Sequence, residues 1–513
     1  LRNSSAASDV YKRQLLFILF IFSINSFSQF SKTHYIPPIG TQGQGSGTPQ
    51  IQYMYISTPN ENPIDVIITP IGGDPITVSI SNSNPYEYFI GNGNETNFIA
   101  LSEDSGQTFN NKGFIVEGED LVYVSARLFT SDAYYQAAGL VSKGLAALGT
   151  TFRVGTFENL GDDMSNSFLN FVTVLATEDN TTVNFSDFGN GVTVVNNAPI
   201  NDVILNSGES YLIAIKPGDN INNSDGLIGV LVESDKPIAV NSGSITGSNA
   251  NTTTDSNGQD AGIDQIVPLE RIGTEYIFVR GIGPDQIERP LIVAHEPDTE
   301  VYVNGTLEYT IAQAGEHWSI PSSFYGVSYD QYGQGPEIGV SSNMYVETSK
   351  PVFAYQVIGG IRPGTEGPFG AGTGIPNQGL FFVPPINCQT PSIVNNIAAI
   401  NKLGPDFAFG GVVTIVTETG STVLINGNDI SDYAGDVQPV NGNPLFETYT
   451  VEGLTGNVSI VSSSQVYVAS FGAYDYATFG GYYSGFAYKP EIVLEEITVD
   501  SEGCIPNLEL KLN

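Results

Sequence analysis

The feature that most constrains this chain is a short pattern that returns at a fixed interval. Val232-Glu-Ser-Asp-Lys-Pro-Ile-Ala-Val240 reads as strand, polar turn, strand. It recurs at Val116-Glu-Gly-Glu-Asp-Leu-Val-Tyr-Val124, at Val346-Glu-Thr-Ser-Lys-Pro-Val-Phe-Ala354, and in worn form at Ile460-Val-Ser-Ser-Ser-Gln-Val-Tyr-Val468. Aligned on Leu121, Pro237, Pro351 and Gln465, the steps are 116, 114 and 114 residues. A second hairpin type, marked by Val66, Val183, Val301 and Val423, repeats at steps of 117, 118 and 122. Two markers with one period imply a repeat architecture. Four tandem units are expected, at about 31–132, 133–250, 263–362 and 380–490.

Within each unit, apolar residues alternate with polar ones at period two. Val, Ile, Thr and Tyr dominate, and Asn304-Gly305 is one of the tight turns. Seven or eight antiparallel strands per unit are expected, and the fold class is all-β. Only Tyr135 to Leu148 places Ala and Leu loosely at helical spacing. The two hairpin types resemble each other, as in Val174-Leu-Ala-Thr-Glu-Asp beside Leu231-Val-Glu-Ser-Asp-Lys. That favours a β-propeller with about two four-stranded blades per unit over serial β-sandwiches. Long Gly/Asn/Ser/Thr stretches at Gly243–Gly262 and Gly359–Gly379 read as functional loops.

The ends read differently. Residues 1–14 look like a non-native leader, and Leu15 to Ser28 like a secretory signal peptide with Ser26 and Ser28 before the cleavage point. Its apolar run is shorter than the roughly 20 residues a membrane-spanning helix needs. Residues 491–513 read as the start of a following, truncated module. The expected location is secreted or at the extracellular cell surface, with no transmembrane span once the signal is removed.

A net charge of −36 argues against nucleic acid and anionic membranes, both of which select basic patches. Two cysteines, Cys388 and Cys504, build neither a disulfide framework nor a zinc site.

His34-Tyr-Ile-Pro-Pro38, Ser142-Lys-Gly-Leu-Ala-Ala-Leu-Gly-Thr150, Ser234 to Val240 with Ser242-Gly243, and Gly480-Gly-Tyr-Tyr-Ser-Gly-Phe486 together carry a resemblance. Over about Ser31 to Pro490 the chain resembles the N-terminal domain family named for the IgGFc-binding protein of mucus, which also occurs in bacterial surface proteins. The signal peptide and domain style are similar to those of Bacteroidota cell-surface proteins associated with gliding motility or type IX secretion. The resemblance implies extracellular binding or adhesion, with a protein or glycan ligand. It carries no Fc-contact residues onto positions here.

Candidate sites are few. Ser102-Glu-Asp-Ser-Gly-Gln-Thr-Phe109 fits the Asp-box of sialidase-type propellers, a structural turn in which Asp104 would accept backbone N–H bonds, Gly106 would turn the chain and Phe109 would pack. A sialidase also needs converging arginines. The body of the chain offers Arg127, Arg153, Arg271, Arg280, Arg289 and Arg362, at no repeated position. His34, His295 and His317 stand alone, without metal spacing. The acidic stretch Asp255-Ser-Asn-Gly-Gln-Asp260 offers Asp255, Asn257 and Asp260 as Ca²⁺ ligands, though its spacing matches no standard Ca²⁺ loop. Ca²⁺ is the one cofactor considered. Tyr474, Tyr476, Tyr482 and Tyr483 offer an aromatic binding surface, with strand packing as the alternative. The expectation is a non-enzymatic adhesion module recognising a glycoprotein, glycan or protein through loops on a rigid β scaffold. The alternatives are a sialidase-like hydrolase and a structural spacer.

Overall fold

The computed structural model describes residues 31–130, 136–160, 168–249, 259–327, 342–359, 378–433, 437–473 and 477–486, with the backbone of a few further strand residues. The leader, the signal peptide, Asp255, Asn257, Tyr476 and Arg362 lie outside the described residues.

The fold is all-β, and its organising elements are long strands that contain the repeated pattern. These are β1 (Phe114–Thr130), β3 (Leu231–Gly247) and β5 (Asn343–Gly359), each of 17 residues. Each is followed by a short strand: β2 (Gln136–Val141), β4 (Asp260–Ile266) and β6 (Gln378–Phe382). A fourth set has the same order, but its long strand comes in two pieces, Val458–Ser462 and β7 (Val466–Tyr474), followed by β8 (Ala477–Tyr482).

Pairing around each long strand is the same. The first half of β1 lies between Ser31–Ile36 and Ile64–Pro70; its second half lies between Pro49–Ser57 and β2. The first half of β3 lies between Gly149–Arg153 and Thr181–Ser186, and its second half between Leu169–Ala176 and β4. β5 repeats this with Gly273–Val279, Thr299–Val303, Pro290–Ala294 and β6. Val458–Ser462 lies between Ile393–Ile397 and Val423–Ile425, and β7 between Gly410–Glu418 and β8. The first three sets form sheets of seven, eight and seven strands.

This pairing replaces the two-blade division. The first pattern, read as strand, turn, strand, lies within one continuous strand in each of β1, β3 and β5. The second is a hairpin whose two strands both pair with it, so the two do not form separate four-stranded blades. The burial pattern gives the reason. In β1 the first residues mix buried and exposed positions, whereas Val122 to Thr130 are all buried. A strand covered on both faces loses alternation and reads as a continuous apolar run. The helical spacing at Tyr135 to Leu148 has the same origin. Gln136–Val141 is the fully buried strand β2, followed by a short 3₁₀ turn at Gly144–Ala147.

A side-chain oxygen at one position of each repeat fixes the crossing. Glu119 Oε2 accepts from the Asp65 N–H at 2.9 Å and Asp235 Oδ1 from the Thr182 N–H at 2.7 Å. Ser349 Oγ accepts from the Glu300 N–H at 2.9 Å and Ser463 Oγ from the Thr422 N–H at 3.0 Å.

The short strands make the contacts between sets. β2 packs on β4 and on β8, and β6 packs on β4 and on β8, so the four close a cycle. All four are buried along their length and are packed together, with side chains where a propeller would have its channel. Glycines set the spacing. A Cβ on Gly262 would sit 2.3 Å from the Phe157 ring and 2.8 Å from Leu380 Cβ, and one on Gly480 would sit 2.6 Å from the Phe381 ring. The first and last sets meet through Arg127, which donates to the carbonyls of Ala398, Ala399 and Lys402 at 2.7–2.9 Å. Its guanidinium lies 4.0 Å from the Tyr55 ring centroid.

Candidate functional site

The chain leaves each long strand and enters the following short strand at one end of the cycle. The two longest of these connections follow Gly247 and Gly359, the last residues of strands whose second halves are buried throughout. At these strand ends the described residues form a continuous polar floor.

Asp260, the first residue of β4, is fully buried. Its Oδ2 accepts the Gln378 N–H at 2.7 Å and its Oδ1 the Ala261 N–H at 2.9 Å, and the Ala137 N–H also points to it. Burial pushes this carboxyl well above the usual range, and the three amide bonds only partly oppose that shift. Asp260 therefore ties β2, β4 and β6 together from inside. That is the role the structure gives this candidate Ca²⁺ ligand. Among the described residues, no group of three or more His, Cys, Asp or Glu side chains is placed to hold a metal.

The Gln378 side chain continues the floor. Its Oε1 accepts the Asn249 N–H at 2.8 Å and its Nε2 donates to Ser248 Oγ at 3.0 Å. Asn249 donates to the Ile287 carbonyl at 3.2 Å and accepts from Arg289 Nη1 at 3.2 Å. Arg289 Nη2 is 2.7 Å from Glu158 Oε2, and His317 Nε2 is 3.7 Å from Glu158 Oε1. Burial raises the Glu158 carboxyl, but His317 and Arg289 outweigh it and hold the group below its ordinary value. Next to this network Glu288 is fully buried and accepts the N–H groups of Gly281, Gly283 and Gly359 at 3.1, 3.1 and 2.7 Å. Burial pushes its carboxyl up to about 7, against the opposing pull of Arg280 and the three amides. It fixes the point where the chain leaves β5.

Other candidates fall elsewhere. Tyr482 and Tyr483 are 3% and 4% exposed, so they pack in the core and offer no aromatic surface. The backbone of Tyr474 ends β7 at the same end of the cycle. Asp104 closes a 3₁₀ turn, but its carboxylate accepts from the Gln107 side-chain amide at 3.1 Å. Ser105 docks the turn instead: its Oγ donates to the Leu212 carbonyl and accepts the Ala214 N–H at 3.1 Å. Gly106 has φ of +91°, and Phe109 is buried.

The arginines are spread through the molecule. Arg127 holds backbone carbonyls, while Arg153, Arg280 and Arg289 pair with Asp187, Asp285 and Glu158. His34 is fully buried, its Nε2 donating to the Val122 carbonyl at 3.0 Å, and burial lowers its pKa to about 4. The Glu158, Arg289 and Glu288 network escaped sequence reasoning because its members stand in unrelated patterns and meet only through folding.

Among the described residues no helix is long and apolar enough to cross a membrane. No curated protein matches the chain. Solved structures similar to it include the central fibronectin-III array of RIM-binding protein, at 12% identity over 62% of this chain and 91% of that one, TM-score 0.12. Another is the chemokine binding protein R17 of rodent gammaherpesvirus Peru, at 7% identity over 68% and 89%, TM-score 0.15. A third is the Streptomyces avermitilis α-L-rhamnosidase, at 10% identity over 87% and 57%, TM-score 0.10. These scores are too low to bear on the fold. The model of the IgGFc binding protein family matches residues 138–472, from within β2 to within β7. The chain belongs to the IgGFc binding protein family.

Proposed function

We propose that this is a secreted, surface-associated binding module, built as four copies of one β unit closed into a ring. It recognises an extracellular glycoprotein, glycan or protein ligand at the end where long strands pass into short ones. Family membership supports a binding role, and one observation supports the choice of that end. The strand ends that carry the two longest connections are tied together by a buried, hydrogen-bonded floor of Asp260, Gln378, Asn249 and Arg289. Connecting segments on a rigid scaffold are the usual form of such sites.

The test is a glycan and mucin array probed with the chain from Gln29 onward, with Ca²⁺ and again with EDTA. A variant with both connections shortened serves as the control. Binding lost in the shortened variant supports the reading. Binding that survives the shortening moves the site elsewhere, and silence of the intact protein sinks the glycan and mucin reading.

A further inference from the structure

One ion pair differs from the others. Lys143 stands just beyond β2 and Asp264 lies in β4, and their side chains are 0% and 1% exposed. In the Arg153–Asp187 and Arg280–Asp285 pairs the carboxylate is 44% and 30% exposed, so water still reaches it. Lys143 Nζ lies 2.8 Å from Asp264 Oδ1 and 3.0 Å from Oδ2, with the Val141 carbonyl at 2.9 Å and the Phe486 ring at 5.4 Å. Two backbone amides aim at the same carboxyl: Gln265 N–H at Oδ1 and Phe382 N–H at Oδ2, each at 2.8 Å.

Sealing two opposite charges from water is costly, and the low local dielectric favours their neutral forms. Burial, the largest influence on each, lowers the Lys143 ammonium and raises the Asp264 carboxyl, so both shift toward proton transfer within the pair. The product of that transfer is an unprotonated amine held against a carboxylic acid.

We propose that Lys143 and Asp264 form an intrachain isopeptide bond. The Nζ lone pair adds to Asp264 Cγ, and Oδ2 takes up the displaced electron pair under the Phe382 N–H, which acts as an oxyanion donor. The Cγ–Oδ1 bond then breaks. Of the three protons on the original ammonium, one stays on the new amide nitrogen and two leave with Oδ1 as water. The condensation needs no oxidant or other reactant. Fixed contact supplies the proximity, and exclusion of solvent removes the water needed for the reverse reaction.

The bond would join positions 121 residues apart and close a covalent loop around the whole second strand set. Phe382, whose amide assists, belongs to the third set. Such a staple would serve a chain whose described cysteine, Cys388, is free and exposed.

The test is mass spectrometry of the full chain, intact and after proteolysis. The expected result is a mass lower by one water in most molecules. A branched peptide joins the Lys143 and Asp264 segments, and trypsin does not cut at Lys143. Lys143→Met and Asp264→Ala should each restore the full mass. Linear peptides containing an unmodified Lys143 and Asp264 in the wild-type protein overturn the proposal, and so does a lost water located at any other residue. If either variant fails to fold, the wild-type peptides alone decide.

Discussion

At the residue scale, stability rests on side chains placed where water cannot reach. Gly229 has φ of +85°, and a Cβ there would lie 1.8 Å from the Gly315 carbonyl oxygen. Gly229→Ala should therefore destabilise the protein by about 2 kcal/mol or more, read from urea unfolding. His34 gives a pH-dependent prediction. Its folded pKa of about 4 lies below its ordinary 6.5, so the unfolded chain binds the extra proton first. Stability from this group is present above pH 6.5 and is lost as pH falls toward 4. The loss amounts to about 3 kcal/mol at about 1.4 kcal/mol per pKa unit. His34→Gln should flatten the stability profile in that window, and an unchanged slope would remove His34 as its cause. Glu288 works in the opposite sense. Its raised pKa of about 7 makes the folded state the better proton binder from its ordinary 4.5 upward, so its contribution declines as pH rises through that interval. Little of this was legible in the sequence. His34 and Asp260 were visible as residue types, but their burial depends on neighbours such as Val122 and Gln378 that come from distant strands.

At the scale of the element, the sequence was most informative. Period-two alternation marked the strands, and the steps between repeats matched those between Glu119, Asp235, Ser349 and Ser463, whose oxygens hold the crossing hairpin. Asp235→Ala and Ser349→Ala should each cost about 1 kcal/mol, the usual net value of one hydrogen bond, in chemical denaturation. A cost of zero at both positions would reduce the repeated oxygen to surface decoration. What the pattern concealed was sharing. Two patterns of similar sequence look like two hairpin modules, yet one is a 17-residue continuous strand and the other is the hairpin whose two strands pair with it. The mixed helical signal at Tyr135 to Leu148 shows the same limit, because a strand buried on both faces carries no period of its own.

At the scale of the whole molecule, order along the chain says nothing about closure. Arg127 reaches the Ala399 carbonyl across 272 residues, and no local pattern announces that contact. Arg127→Met would leave three carbonyls, two of them buried, without their charged donor, and should cost about 2–4 kcal/mol, lost first at the contact between the first and last sets. Hydrogen exchange should show new opening in 398–402 and in β8 before the remaining strands. Uniform acceleration throughout would deny a local clasp. The most direct test of the ring is small-angle scattering of residues 29–490. Compaction of about 460 residues into one body predicts a radius of gyration near 23 Å. A globular distance distribution with that radius is the expected result. An elongated distribution with a clearly larger radius would mean serial units on a string, and would contradict the closed ring.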